Sequence, residues 1–89
     1  MSKDFESLRR SLNENHKWPS EYLFKFIVPD EEVIVNKTLN LFGIKANVKI
    51  KASKNGKYIS VSGIEIMPNA DAIIKRYELA YEIEGLMAL

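Results

Sequence analysis

The clearest structural pattern in the chain lies between Lys45 and Ile66, KANVKIKASKNGKYISVSGIEI. Residues 45–53 alternate between apolar and polar side chains, which is typical of a β-strand with one face on a core. Asn55-Gly56 then predicts a type I′ turn, because both central positions of that turn need positive φ. The stretch is therefore predicted to form a β-hairpin.

The return strand of this hairpin begins at Tyr58, and its apolar residues alternate with serines as far as Val61. After Gly63 the alternation shifts by one residue, so that the next apolar residues are Ile64 and Ile66. An extra residue in a β-bulge would turn both isoleucines back towards the core. We therefore predict a bulge at Gly63.

A first strand precedes the hairpin at residues 20–28, SEYLFKFIV. Three aromatic residues alternate along it and are expected to face the core: Tyr22, Phe24 and Phe26. The opposite side carries Leu23, Lys25 and Ile27, a mixture that indicates partial exposure to solvent.

One helix is predicted before the hairpin in the sequence and a second helix after it. The first covers about residues 30–42, with Asp30 as its N-cap and Gly43 as a left-handed C-terminal residue. The second begins after Asn69, its N-cap, and Gly85 is expected to stop it. The helical residues predicted to face the core are Val35, Leu39 and Phe42, followed by Ile73, Tyr77 and Ala80.

The two ends of the chain add short elements. Phe5, Leu8 and Leu12 are spaced as on one helical face, which predicts an accessory helix over residues 3–13. Residues 86–89 predict a short last strand. The candidate N-caps of the accessory helix are Ser2 and Asp4.

The resulting order is an accessory helix followed by βαββαβ. Two right-handed βαβ-type connections over one sheet predict an α+β fold, the ferredoxin-like sandwich. Its sheet is four-stranded and antiparallel, in the order 4-1-3-2, with both helices on one face. Residues 1–17 are assigned to the accessory helix and linker, and residues 18–89 to the ferredoxin-like domain.

Composition narrows the possible chemistry. The formal net charge is +1, so no global field attracts nucleic acid or membrane. The absence of cysteine excludes disulfides, thiolate metal sites and cysteine nucleophiles. His16 is the only histidine and is expected to be a surface residue, and Ser60 and Ser62 have no histidine partner by any local argument. We therefore expect no catalytic residue, no metal, no cofactor and no enzymatic activity.

The N-terminal MSKDFESLRR mixes charged and apolar residues, so we do not expect it to be a signal peptide. No apolar run is long enough to span a bilayer. A cytoplasmic location without membrane association is expected.

Five lysines occur between residues 45 and 57 without an acidic residue among them: Lys45, Lys49, Lys51, Lys54 and Lys57. One interpretation is a basic patch for RNA, with Tyr58 as its stacking aromatic. The other is protection of an edge strand, where lysines discourage pairing with another sheet. We favour edge protection, because RNA-binding sheets of this topology use two or three aromatics.

The sheet face opposite the helices is expected to be partly apolar. Leu23, Ile27 and Tyr58 would be exposed there unless something covers them, and exposed apolar faces are typical of partner surfaces. The accessory helix could cover this face within the chain, or a second molecule could do so. The sequence leaves both possibilities open.

A longer pattern, Ser53-Lys54-x-Gly56-x-Tyr58-x-Ser60-Val61-Ser62, together with Trp18-Pro19 before an aromatic strand, resembles the YbeD-like family of small bacterial proteins. The resemblance covers about residues 18–89. It implies a cytoplasmic domain of unknown function with a βαββαβ fold similar to ACT-type regulatory domains. Some members are described as lipoate-related regulators, and the family supplies no catalytic residues.

The expected function is a non-enzymatic regulatory or protein-interaction module that binds a protein partner or forms a homodimer. One alternative is a small-ligand sensor for an amino acid or a lipoate-related compound near residues 28–32. A second alternative, nucleic-acid binding through the open sheet face, is less favoured. The candidate interaction face consists of Leu23, Lys25, Ile27, Lys49, Lys51, Tyr58, Ser60 and Ser62.

Overall fold

The computed structural model describes residues 5–89, which form three helices and one four-stranded antiparallel sheet. The elements are α1 (Glu6–Asn15), β1 (Ser20–Pro29), α2 (Glu32–Leu39), β2 (Asn47–Ala52), β3 (Tyr58–Met67), α3 (Ala70–Ala80) and β4 (Met87–Ala88). The fold is therefore α+β, as predicted. None of the helices within residues 5–89 is long and apolar enough to cross a membrane.

The strands lie in the order β2-β3-β1-β4, which reads 4-1-3-2 from the β4 edge. β1 and β3 pair along their whole length, from Ser20 opposite Met67 to Pro29 opposite Tyr58. Among the strands of residues 5–89, β2 pairs with β3 alone and is an edge strand, as predicted. β4 is much shorter and pairs only with Phe26 and Ile27.

The predicted bulge at Gly63 is wrong. The pairing of β3 with both neighbours is continuous through Gly63, which lies opposite Phe24 and Val48. Gly63 points towards the helices, and a Cβ atom there would overlap the ring of Phe42. The glycine therefore makes room for an aromatic ring, and the alternation continues so that Ile64 lies on the opposite side of the sheet.

The core lies between the sheet and the helices. Phe24, Phe26 and Val28 of β1 are fully buried, as the alternation of aromatic residues predicts. Phe24 and Phe26 pack with Ile73 and Tyr77 of α3, whose predicted inner face is confirmed, and Val28 packs in a second cluster with Ile59 and Val61. Since all three helices contribute to this one side, the other side of the sheet is left open within the described residues.

Helix α1 is part of the main core. Leu12 is buried against the same cluster as Phe24 and Tyr77, and Arg9 Nε donates to Asp71 Oδ1 of α3 at 2.8 Å. The helix therefore lies on the helical side, which rules out its covering the open side of the sheet. The candidate caps Ser2 and Asp4 lie outside the described residues.

Helix α2 is shorter than predicted. Asp30 is not its N-cap, because its backbone N–H donates to Lys57 O and prolongs the strand pairing. Glu31 occupies the N-cap position without a side-chain hydrogen bond. Gly43 has no positive φ, and the helix already ends at Leu39, after which the chain tightens into turns.

Helix α3 begins as predicted, with Asn69 Oδ1 accepting from Ala72 N at 2.8 Å. It ends at Ala80, so Gly85 is not its stop. Gly85 instead has a φ of +79° in the following turn, where it lies against the ring of Pro29. Its left-handed conformation brings the chain back to β1 as β4.

The hairpin turn is not of type I′, because Gly56 has a positive φ and Asn55 does not. Ser53 N donates to Tyr58 O across the end of the hairpin, which leaves a four-residue loop. The side chain of Asn55 accepts from Ser53 Oγ and from Lys57 N. These side-chain bonds stabilise a longer loop than the Asn-Gly pair alone predicts.

An ion pair joins β3 to α3. Arg76 Nη1 donates to Glu65 Oε1 at 2.8 Å, and both side chains are largely buried. Gly43 N also donates to Glu65. The hydrogen bond from Arg76 is the main reason why the pKa of Glu65 is lowered, while burial acts against it. Glu65 reaches Arg76 because, without a bulge, it faces the helices.

Candidate functional site

The open face is the side of the sheet away from the helices. Directly paired residues of antiparallel strands point to the same side, so the strand register defines this face. It carries Glu21, Leu23, Lys25 and Ile27 from β1, Asn47, Lys49 and Lys51 from β2, Tyr58, Ser60, Ser62, Ile64 and Ile66 from β3, and Met87 from β4. All eight residues of the predicted interaction face lie on it.

One end of the open face, which we term the basic half, contains a shallow groove of about 540 Å³. A row across all four strands runs through it, in which Lys51 lies opposite Ser60, Ser60 opposite Ile27, and Ile27 opposite Met87. Three lysines, three hydroxyl groups and four apolar side chains line the groove: Lys25, Lys51, Lys54, Ser53, Tyr58, Ser60, Ile27, Ala52, Met87 and Leu89.

The other end, the apolar half, is built around Leu23 and Ile64. These two residues lie directly opposite each other on β1 and β3 and are 55% and 42% exposed. Ile66 continues the patch and is 67% exposed. A smaller depression of about 120 Å³ lies beside them and includes Lys49 and Ser62.

The eight predicted residues divide between these two halves. The structure brings five of them to the groove: Lys25, Ile27, Lys51, Tyr58 and Ser60. It places Leu23, Lys49 and Ser62 at the smaller depression. The sequence interpretation missed Ile64 and Ile66 because it assumed a bulge, whereas an unbroken period of two through Gly63 would have found them.

Met87 was also missed, for a different reason. It reaches the open face only because β4 pairs with Ile27. Two residues of strand carry no periodicity of their own, so no sequence pattern assigns Met87 to a face.

The charge on the open face is one-sided. Lys25, Lys49 and Lys51 are exposed there, and Glu21 is the single acidic side chain that the described residues place on it. None of these lysines forms an ion pair with any residue between 5 and 89. The face therefore presents uncompensated positive charge beside aliphatic side chains.

The other candidate residues do not assemble into a reactive site. His16 is half-buried rather than a plain surface residue, since it stacks on Trp18 and shares a hydrogen bond with Ser20 Oγ at 2.9 Å. Within the described part of the chain, no three His, Cys, Asp or Glu residues are grouped closely enough to hold a metal ion. The open face is therefore the surface from which we infer the function.

Comparison with known proteins gives no relative from which to assign this surface: no protein-family model, curated protein or solved structure matches the chain.

Proposed function

We propose that this chain is a non-enzymatic protein-interaction module that self-associates through the apolar half of its open face. The proposal includes a ferredoxin-like topology, a cytoplasmic location and the kinship with YbeD-like proteins that the residue pattern indicates. The observation that supports it most is the exposure of Leu23, Ile64 and Ile66 side by side on adjacent strands. Contiguous exposed apolar residues on a sheet are typical of a surface that another protein covers.

The charges favour one geometry of the homodimer. Consider a two-fold axis that runs across the strands above Leu23 and Ile64. Because this rotation reverses the strand direction, the row that contains Glu21 lies over the partner row that contains Lys25. Opposite charges would then meet on both sides of a central apolar contact.

An axis parallel to the strands is less favourable. It would superimpose the row that holds Lys25 and Lys49 on the same row of the second copy. Like charges would then face each other across the interface, which is destabilising. The apolar patch is small compared with stable interfaces, so we expect a reversible, concentration-dependent dimer.

Sedimentation velocity over a series of protein concentrations tests this proposal. The wild-type chain should shift from monomer to dimer as its concentration rises. Leu23→Lys should hold the chain in the monomeric form, because the two-fold axis brings the new charge next to its own copy. A wild-type chain that stays monomeric up to high micromolar concentration would contradict the proposal.

The matched control is Val33→Lys. Val33 lies on α2, away from the open face, and its exposed fraction of 66% is similar to that of the apolar patch. It introduces the same charge and should leave the dimer unchanged. A loss of dimer in both variants would indicate a general effect of charge instead of a specific interface.

The two alternative functions remain predictions. Small-ligand sensing near residues 28–32 predicts a thermal shift with an amino acid or lipoate. RNA binding predicts salt-dependent affinity that weakens with Lys49→Glu and Lys51→Glu. Neither alternative explains why aliphatic residues are exposed at the other end of the same face.

A further inference from the structure

The groove in the basic half lies outside the surface proposed for self-association, and its residues remain available to a ligand. Its floor is aliphatic, with Ile27 half-buried and Met87 53% exposed. Its rim carries Lys25, Lys51 and Lys54, and no acidic side chain among residues 5–89 lines it. A ligand that fits this groove has to supply negative charge and apolar groups together.

The positive charge is concentrated at this place. The whole chain has a formal net charge of only +1, because its 13 basic residues are nearly balanced by 12 acidic ones. The three rim lysines form no ion pair with any residue in 5–89. Charge complementarity therefore selects an acidic ligand, because a cleft lined by charges of one sign attracts ligands of the opposite sign.

The apolar floor favours a peptide over a nucleic acid as the ligand of this groove. Single-stranded RNA is held by aromatic side chains on which successive bases stack. Tyr58 is the only aromatic residue that the described part of the chain contributes to the groove. A phosphate backbone would satisfy the lysines but leave Ile27, Met87 and Leu89 in contact with water or with polar groups.

An acidic peptide meets both requirements. In an extended peptide, alternate side chains point in opposite directions, so apolar residues can enter the floor while backbone and acidic groups reach the rim. The hydroxyl groups of Ser60 and Tyr58 lie among the lining residues and can accept or donate hydrogen bonds. The row across four strands is about 14 Å long, which corresponds to roughly four extended residues.

We infer that this groove binds a short, extended peptide segment in which aspartate or glutamate alternates with aliphatic residues. The inference rests on the open face being an interaction surface, as in the proposed function, but not on self-association. The two surfaces lie at different ends of the sheet, so each can be disrupted separately.

The probe is a fluorescein-labelled peptide of about six residues with alternating aspartate and leucine, which covers the roughly four residues of the row with about one further residue at each end. Fluorescence anisotropy should show saturable binding that weakens as salt is added. Replacing its aspartates by lysines should abolish binding, and replacing its leucines by serines should weaken it. An oligouridylate of equal charge serves as the nucleic-acid probe and should bind less tightly than the aspartate–leucine peptide.

The variant Lys51→Glu with Lys54→Glu should weaken peptide binding at least about tenfold, because it reverses two of the three rim charges. Lys37→Glu with Lys75→Glu, at two exposed positions on α2 and α3, changes the net charge equally and should leave peptide binding unchanged. Lys51→Gln with Lys54→Gln removes the same two charges without reversing them and should weaken binding less. Circular dichroism verifies that each variant folds.

Several outcomes would overturn the inference. They are no saturable binding of the aspartate–leucine peptide, equal binding by the charge-reversed variant, and tighter binding of oligouridylate with the same dependence on the lysines. Leu23→Lys separates this inference from the proposed function. That variant should lose the dimer but keep the peptide, whereas the lysine variants should keep the dimer.

Discussion

At the scale of single residues, Gly63 holds the sheet and α2 at their observed separation. The ring of Phe42, which follows α2, occupies the space that a side chain at this position would fill. Gly63→Ala therefore forces the ring out of a packed core. We expect the free energy of unfolding to fall by about 1–3 kcal/mol, as in other overpacked cores.

Urea denaturation followed by circular dichroism measures this loss. Ser62→Ala is the neighbouring control, because Ser62 lies on the open face and makes no packed contact with a helix. Its effect should stay within about 0.5 kcal/mol. A stable Gly63→Ala variant would mean that Phe42 has room to move.

The ion pair between Glu65 and Arg76 makes stability depend on pH. The pKa of Glu65 is lowered from its usual value of 4.5, chiefly by the hydrogen bond from Arg76. A carboxyl group whose pKa falls on folding contributes stability that is complete above the unfolded value and is lost as pH decreases through the folded value. We therefore expect stability to decline below about pH 4.5.

Glu65→Gln should remove this part of the pH dependence. At neutral pH the variant should be less stable by about 1–3 kcal/mol, because the guanidinium of Arg76 loses its charged acceptor. Urea midpoints measured from pH 7 down to pH 3 provide the comparison. Glu78→Gln, an exposed change on α3, should keep the wild-type slope; parallel curves for all three proteins would contradict the assignment.

These two residues also show what limits a residue-level prediction. Composition alone suggests two roles for a glycine within a strand, a bulge or a close approach. Only the three-dimensional position of Phe42 distinguishes them. The predicted bulge at Gly63 assigned Ile64 to the core. For that reason, neither the apolar half of the open face nor the inward direction of Glu65 was predicted.

At the scale of secondary structure, Leu12 is the buried side chain of α1 within the described residues. Leu12 is 5% exposed and belongs to the core cluster. Leu12→Ala should lower the free energy of unfolding by about 2–4 kcal/mol, because it leaves a cavity in the core. Arg10→Ala, on the exposed side of the same helix, should change it by less than about 0.5 kcal/mol.

The same pair of variants tests whether α1 stabilises the domain or is only attached to it. Native-state hydrogen exchange should show faster exchange in both α1 and α3 for Leu12→Ala, since the two helices pack together. Faster exchange in α1 alone would mean that the helix docks independently.

The elements themselves could be predicted well where their periodicity is strong. The alternation in β1 and β2 and the helical spacing in α3 place those elements correctly, and Asn69 marks the start of α3. The docking site of α1 could not be predicted, because a stripe of three apolar residues fits either side of a sheet. The ends of α2 depended on backbone hydrogen bonds from Asp30 and Leu41, which leave no sequence pattern.

At the scale of the whole molecule, the two sides of the sheet have different roles: one side stabilises the fold, and the other is the proposed interaction surface. The helical side contains the aromatic core and the Glu65–Arg76 pair. The open face carries exposed aliphatic side chains at one end and a lysine-rimmed groove at the other. Substitutions on the open face should therefore change association without unfolding the domain.

The most direct test of self-association through the open face is a charge exchange between Glu21 and Lys25. Sedimentation velocity should show that Glu21→Lys weakens the dimer, since like charges would then face each other across the two-fold axis. Combining Glu21→Lys with Lys25→Glu should restore it, because the opposite charges meet again with their positions exchanged. A double variant that dimerises no better than Glu21→Lys alone, or single variants that dimerise like the wild type, would contradict this interface.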